Sequence, residues 1–128
     1  MTNLNHIGMF VRDLETSKQF FEKYFGVRSG EIYHNTKKLF SSYMLVFANG
    51  AKLEIMTRPG LCDTGKKTDR YGLAHISISV GSKGNVDTIT RQLTDDGFKH
   101  IDGPRTTGDG FYESTILDAE GNVIEITI

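Results

Sequence analysis

The amino-acid sequence predicts an α+β fold built from two copies of one unit, with a mostly antiparallel sheet. Three observations predict it. Segments that alternate with period two outnumber those with helical periodicity. Two helical stripes stand in matching places, one in each half. Landmark residues recur at a nearly constant offset: 69 residues separate His6 from His75, 71 separate Gly26 from Gly97, and 71 separate Glu54 from Glu125. Such an offset marks an internal duplication.

The first half opens on a strand over His6 to Val11, in which Ile7, Met9 and Val11 share one face and His6, Gly8 and Phe10 the other. Asp13 is placed to cap a helix whose apolar positions Leu14, Phe21, Tyr24 and Phe25 form one stripe, with Gly26 at its end. After a loop, Ser41 to Ala48 and Lys52 to Thr57 read as strands joined through Asn49-Gly50, a hairpin signal. The second half repeats this order. His75 to Val80 alternates as a strand, and Asn85 is placed to cap a helix carrying Val86, Ile89 and Leu93, with Gly97 at its end. Phe111 to Leu117 and Asn122 to Ile128 follow as strands around a turn at Asp118-Ala119-Glu120-Gly121. His34 and His100 fall outside the repeat and are expected at the surface.

A chain of 128 residues fits one domain, here residues 1–128, with module one over 1–65 and module two over 66–128. Hydrophobic residues at 38% and charged residues at 24% provide for a core and exclude a wholly disordered chain. The formal net charge of −1 offers no basic field for a polyanion, so neither nucleic acid nor an anionic membrane is an expected partner. The longest apolar run, Tyr43 to Ala48, is far too short to span a bilayer, and the first residues lack the basic and then apolar regions of a signal peptide. A single cysteine, Cys62, forms no internal disulfide and suits a reducing cytoplasm, the expected location.

The duplication sets a histidine on the opening strand of each half and a glutamate on the closing one: His6, Glu54, His75 and Glu125. Leu53 and Ile55 flank Glu54, and Ile124 and Ile126 flank Glu125, so in a period-two strand each glutamate faces away from the packed helix. By the same parity the histidines point away from Ile7 and Ile76. If the open faces meet in one cleft, four ligand-type side chains converge. Imidazole and carboxylate together suit zinc, nickel, cobalt, manganese or iron, and without thiolates the set does not form a structural zinc-finger site. Room left for water or substrate favours a catalytic ion over a closed structural one.

The stretches LNHIGMFVRDLETSKQFFEKYFGV, KLEIMTRPG, GLAHISISV and LDAEGNVIEITI, which together run from residue 4 to residue 128, resemble the vicinal oxygen chelate superfamily of glyoxalases, bleomycin-resistance proteins and dioxygenases. The resemblance implies paired βαβββ modules curled around a metal cleft, usually in a homodimer. The His, Glu, His, Glu quartet is most similar to that of glyoxalase I (lactoylglutathione lyase) of the short bacterial kind. That similarity implies His6, Glu54, His75 and Glu125 as ligands of one divalent ion (nickel, zinc, cobalt or manganese) and Glu125, with Glu54 as a second candidate, as the proton-transferring base. The implied substrate is a small thiol adduct of an α-ketoaldehyde. The segment GPRTTGDGFYES departs from the corresponding glyoxalase I loop, which leaves the thiol open.

Further substrate contacts are expected from Arg58 and Arg105, whose guanidinium groups suit a carboxylate or phosphate, and from Tyr43 and Tyr112 as pocket-lining residues. Two other functions share the fold: a binding protein that sequesters a small toxic molecule, and another metal enzyme of the superfamily such as a fosfomycin-type transferase, an epimerase or a dioxygenase. Both leave open whether ligands come from one chain or are exchanged across a dimer.

Overall fold

Asp13 begins the first helix as its sequence requires: its carboxylate accepts the backbone N–H of Thr16, and the chain then runs helically over α1 (Leu14–Phe25) to Gly26, whose φ of 62° ends it. The computed structural model describes residues 1–63 and 71–128, and the expected module junction at 65/66 lies outside them. Contacts divide the chain into two compact units, Met1–Asp63 and Thr64–Ile128.

In the first unit α1 packs against a mixed sheet ordered β1-β5-β4-β2, with β3 also paired to β4. Its strands are β1 (Ile7–Phe10), β2 (Arg28–Ser29), β3 (Tyr33–Asn35), β4 (Phe40–Val46) and β5 (Lys52–Thr57). β1 runs parallel to β5, and the other pairings are antiparallel. Parallel pairing is possible because α1 carries the chain back across the sheet between β1 and the later strands. Leu45, Leu53 and Ile55 on the sheet meet Phe20, Phe21 and Tyr24 of α1 in the core. The β4–β5 connection spans residues 47–51 and turns at Ala48-Asn49-Gly50: Phe47 N–H donates to the Ala51 carbonyl, Gly50 N–H donates to the Phe47 carbonyl, and Gly50 takes a φ of 89°.

The helix stripe includes one polar position. Ser17 is 3% exposed on the packed face of α1, and its hydroxyl finds no hydrogen-bond partner among the described residues. A desolvated, unpaired hydroxyl costs free energy, and alanine is the better helix former. Ser17→Ala is therefore expected to raise stability by about 1 kcal/mol, read as an increased urea midpoint at unchanged m-value. A lowered midpoint would show that the hydroxyl has a partner.

The second unit repeats the plan with the sheet order β6-β9-β8-β7. Here β6 (Ile76–Ser79) runs parallel to β9 (Val123–Thr127), while β7 (His100–Thr106) and β8 (Tyr112–Leu117) complete the sheet antiparallel. α2 (Lys83–Asp95) packs on β7, β8 and β9, burying Val86, Thr90 and Leu93. Its cap differs from the sequence expectation. Ser82, not Asn85, is the N-cap, its hydroxyl accepting the Asn85 N–H at 3.2 Å, while the Asn85 amide reaches back to the Val80 carbonyl at 2.7 Å. Both are capping-type residues, and the one that precedes the first helical turn takes the role. Gly97 stands one residue beyond the C-cap with a φ of 92°, where left-handed backbone closes the helix.

The turn after β8 is held by Asp118, whose carboxylate accepts the backbone N–H groups of Glu120 and Asn122 and the Asn122 side-chain amide. Three short or irregular strands, β2, β3 and β7, are additions to the elements expected from sequence. β7 occupies the start of the segment read as an unusual loop, and its pairing with β8 is interrupted by register shifts on both sides of Asp102.

Candidate metal and substrate site

Strand register decides which side chains share a face. In the first unit Gly8 pairs with Glu54, and Glu54 with Met44, so all three stand on the side of the sheet opposite Leu53 and Ile55. His6 immediately precedes β1 on the same parity, and its Nε2 lies 3.3 Å from a carboxylate oxygen of Glu54. In the second unit Ser77 and Thr115 flank Glu125 in register, and His75, just before β6, brings its Nε2 to 3.2 Å from Glu125. The two pairs are alike in burial: the carboxylate side chains are 18% and 19% exposed and the imidazoles 39% and 42%. The glutamates are held by the sheet, and the rings stay open to an approaching group.

The donor chemistry fits a divalent ion. Two ligands at about 2.1 Å from one octahedral ion, in adjacent positions, stand about 3 Å apart, close to both observed separations. His6 Nδ1 lies 2.8 Å from Asn5 Oδ1. A neutral ring that donates Nδ1–H to that oxygen presents its Nε2 lone pair toward Glu54, the tautomer a metal ligand needs. Two lone pairs then face each other 3.3 Å apart, an arrangement that a bound cation completes. Each unit by itself supplies two donors, and among the described residues no group of three or more His, Cys, Asp or Glu side chains forms.

The other expected site residues are placed differently. Tyr43 pairs in register with Ile55, which turns it toward α1; its hydroxyl donates to Glu15, and Lys18 lies over its ring at 4.8 Å. Tyr112 has the parity of Ser114 and Ile116, and its hydroxyl donates to Asp87 of α2 at 2.6 Å with Lys83 over the ring. Both phenols are held above their ordinary pKa by the carboxylate that accepts their proton. Expected as pocket-lining residues, the two tyrosines each tie sheet to helix, on the face of their own sheet opposite its His–Glu pair.

Arg58 follows β5, lies over the Phe10 ring at 5.4 Å and donates to the Pro59 carbonyl. Arg105 stands opposite Glu113 in register, on the Glu125 face, but its Nε donates to Asp102 at 2.7 Å. That bond, with the guanidinium charge, holds the Asp102 carboxyl below the usual carboxylate range. Sequence reasoning missed Glu113, which pairs with Thr127 next to the Thr115–Glu125 pair and so shares the Glu125 face. Burial, with Glu125 and Asp109 nearby, pushes its carboxyl above the usual range, and Arg105 and His75 act against that without cancelling it.

The fold and the sequence pattern have known counterparts. The chain has the fold of a glyoxylase/bleomycin resistance protein/dioxygenase domain from Frankia sp. EAN1pec at 20% identity, with a TM-score of 0.82 over 99% of this chain and 91% of that one. It has the fold of the trypanothione-dependent glyoxalase I of Leishmania major at 17% identity and a TM-score of 0.79, covering 99% of this chain and 86% of that one. It is also similar to the fosfomycin resistance protein FosX of Listeria monocytogenes, solved with Mn(II) and sulfate, at 19% identity, a TM-score of 0.72, and 99% and 92% coverage. No curated protein matches the chain. The family model described as Glyoxalase/Bleomycin resistance protein/Dioxygenase superfamily matches residues 3–126, and with nearly the whole length accounted for, the chain belongs to that superfamily.

Proposed function

We propose that the protein is a metal-dependent glyoxalase-type lyase that isomerises the hemithioacetal of an α-ketoaldehyde and a thiol into a 2-hydroxyacyl thioester. The observation that carries this reading is the repeated His–Glu pair, His6 with Glu54 and His75 with Glu125, each with its two ligand atoms 3.3 and 3.2 Å apart on corresponding strands. A protein that only sequesters a molecule has no need of four such donors. Support comes also from relatives of the same fold: one is named as a glyoxalase I, and another was solved with Mn(II).

In this reading His6, Glu54, His75 and Glu125 hold one divalent ion, within one chain or across a homodimer. The ion, when bound, supplies positive charge that stabilises the negative charge developing on the substrate oxygens. Glu125 takes the proton from the carbon that bears sulfur and returns it to the adjacent carbon, while the hydroxyl proton passes from the oxygen of the first carbon to that of the second. Substrate and product are isomers, so no oxidant or reductant enters. Both carboxylates are tethered in register on β5 and β9, which fixes their position relative to the imidazoles.

Two measurements test this in order. Metal analysis after dialysis against nickel, cobalt, zinc or manganese is expected to find a stoichiometric ion. Thioester formation, followed by ultraviolet absorbance with methylglyoxal and a panel of thiols, is expected to depend on that ion. A chain that holds no ion at neutral pH would overturn the metal-enzyme reading in favour of a sequestering protein. A loaded protein that is inactive with every thiol would overturn the glyoxalase reaction in favour of another superfamily chemistry.

A further inference from the structure

The two His–Glu pairs stand in different surroundings. In the first unit the face around Glu54 carries Met44, Met56 and Gly8, and Met56 folds over Gly8 so closely that a Cβ there would lie 2.8 Å from the methionine methyl. In the second unit the corresponding face carries Ser77, Thr115, Glu113 and Arg105. The first is apolar and the second polar. Glu113 is the least accounted-for member of the polar set. It is half-buried, yet among the described residues its carboxyl has neither a hydrogen bond nor an ion pair. The guanidinium opposite it in register is turned to Asp102 instead.

A half-buried carboxyl that no neighbouring side chain among the described residues engages keeps its oxygens open to an incoming donor. Packing does not require the charge, because a glutamine or threonine would fit the strand without the cost of desolvating it. The pair Thr115–Glu125 lies one ladder step away, which puts Glu113 diagonally across from the proposed base at roughly 6 to 8 Å, beyond ligand distance and within reach of a substrate bound there.

We propose that Glu113 is a specificity residue, whose carboxyl accepts a hydrogen bond from an O–H or N–H donor on the thiol portion of the substrate. This rests on the glyoxalase-type reading for the substrate and deepens it by assigning chemistry to the part of the substrate that the sequence left open. Hydroxyl and ammonium groups share that donor chemistry and differ in charge. An ammonium gains attraction from Glu113 as well as the bond, and so gives the larger effect.

The test uses methylglyoxal adducts of three thiols of similar size: 2-(dimethylamino)ethanethiol, which carries an ammonium; 2-mercaptoethanol, which carries a hydroxyl; and 3-methylbutane-1-thiol, which carries no donor. With the manganese-loaded protein, Glu113→Gln is expected to raise KM about tenfold for the ammonium adduct, a few-fold for the hydroxyl adduct and less than twofold for the apolar one. It is expected to leave kcat within about threefold and manganese affinity unchanged, with Glu113→Asp restoring part of the preference. A structural role would move all three adducts together. Equal KM changes for the three, or a loss of manganese affinity, would overturn the assignment. If the wild type turns over none of the adducts, the reaction is wrong, and the lactoyl thioesters of the three thiols titrated as ligands judge Glu113 separately. A preference for the ammonium thioester that Glu113→Gln abolishes supports it, and equal affinity or no binding refutes it.

Discussion

Gly103→Ala is expected to destabilise the second unit by about 3 kcal/mol or more, against about 1 kcal/mol for Gly110→Ala. Both glycines have positive φ, 77° and 92°, so an alanine at either meets the left-handed strain that an L side chain carries. The difference lies in what surrounds them. A Cβ at Gly110 would meet nothing within 4 Å, since that residue sits in the turn between β7 and β8. A Cβ at Gly103 would overlap the Glu113 carbonyl oxygen and lie 2.9 Å from Ser114 Cα, both backbone atoms of the paired strand. Backbone cannot rotate away as a flexible side chain can, so relief requires β7 to part from β8 where the register already shifts. Urea unfolding of the two variants, with amide exchange to localise the loss, checks this. Equal destabilisation by both alanines would show that the strands separate freely at the bulge.

The same bulge shows why part of the fold was illegible in the sequence. β7 shifts register on both sides of Asp102, the second time across Gly103-Pro104, so its side chains do not keep a period of two and the segment reads as a loop. β2 and β3 have only two and three residues, too few for alternation to show. Elsewhere the pattern was sufficient. α1 runs from its expected cap to its expected glycine, and β5 has the expected ends, because alternation and capping chemistry there are unambiguous.

The shared faces of His6, Glu54, His75 and Glu125 were legible for a different reason: parity selects the face, and the duplication marks the same two positions in each half. The tyrosines escaped that logic. β4 has apolar residues on both faces, Met44 and Val46 on one and Tyr43 and Leu45 on the other, so only register with β5 shows which side Tyr43 takes. Glu113 escaped through the duplication itself. At the offset of 71 its counterpart is Ser42, which pairs with Met56 as Glu113 pairs with Thr127. A search for repeated ligand residues passes over a carboxylate that only one half carries.

Glu125→Gln has the largest expected effect on the proposed reaction, a fall in kcat of about 10²- to 10⁴-fold, the usual worth of a positioned acid–base group. The substitution keeps the shape of the side chain and an oxygen where the carboxylate was, so β9 retains its register, and the other three ligands of the proposed site are left untouched. What is lost is the basicity: an amide oxygen does not accept the proton from carbon. Thioester formation should therefore collapse while manganese remains bound at saturating concentration, and KM should change far less than kcat. Glu54→Gln is the control, because Glu54 has the same exposure, the same strand context and the same imidazole partner distance within 0.1 Å. A smaller loss in Glu54→Gln assigns the proton transfer to the second unit, where Glu113 adds a polar neighbourhood that Met44 and Met56 do not give Glu54. Equal losses would mean that the two carboxylates share the transfer, one for each carbon. Normal turnover in Glu125→Gln would remove Glu125 from the chemistry altogether and leave it as a ligand only.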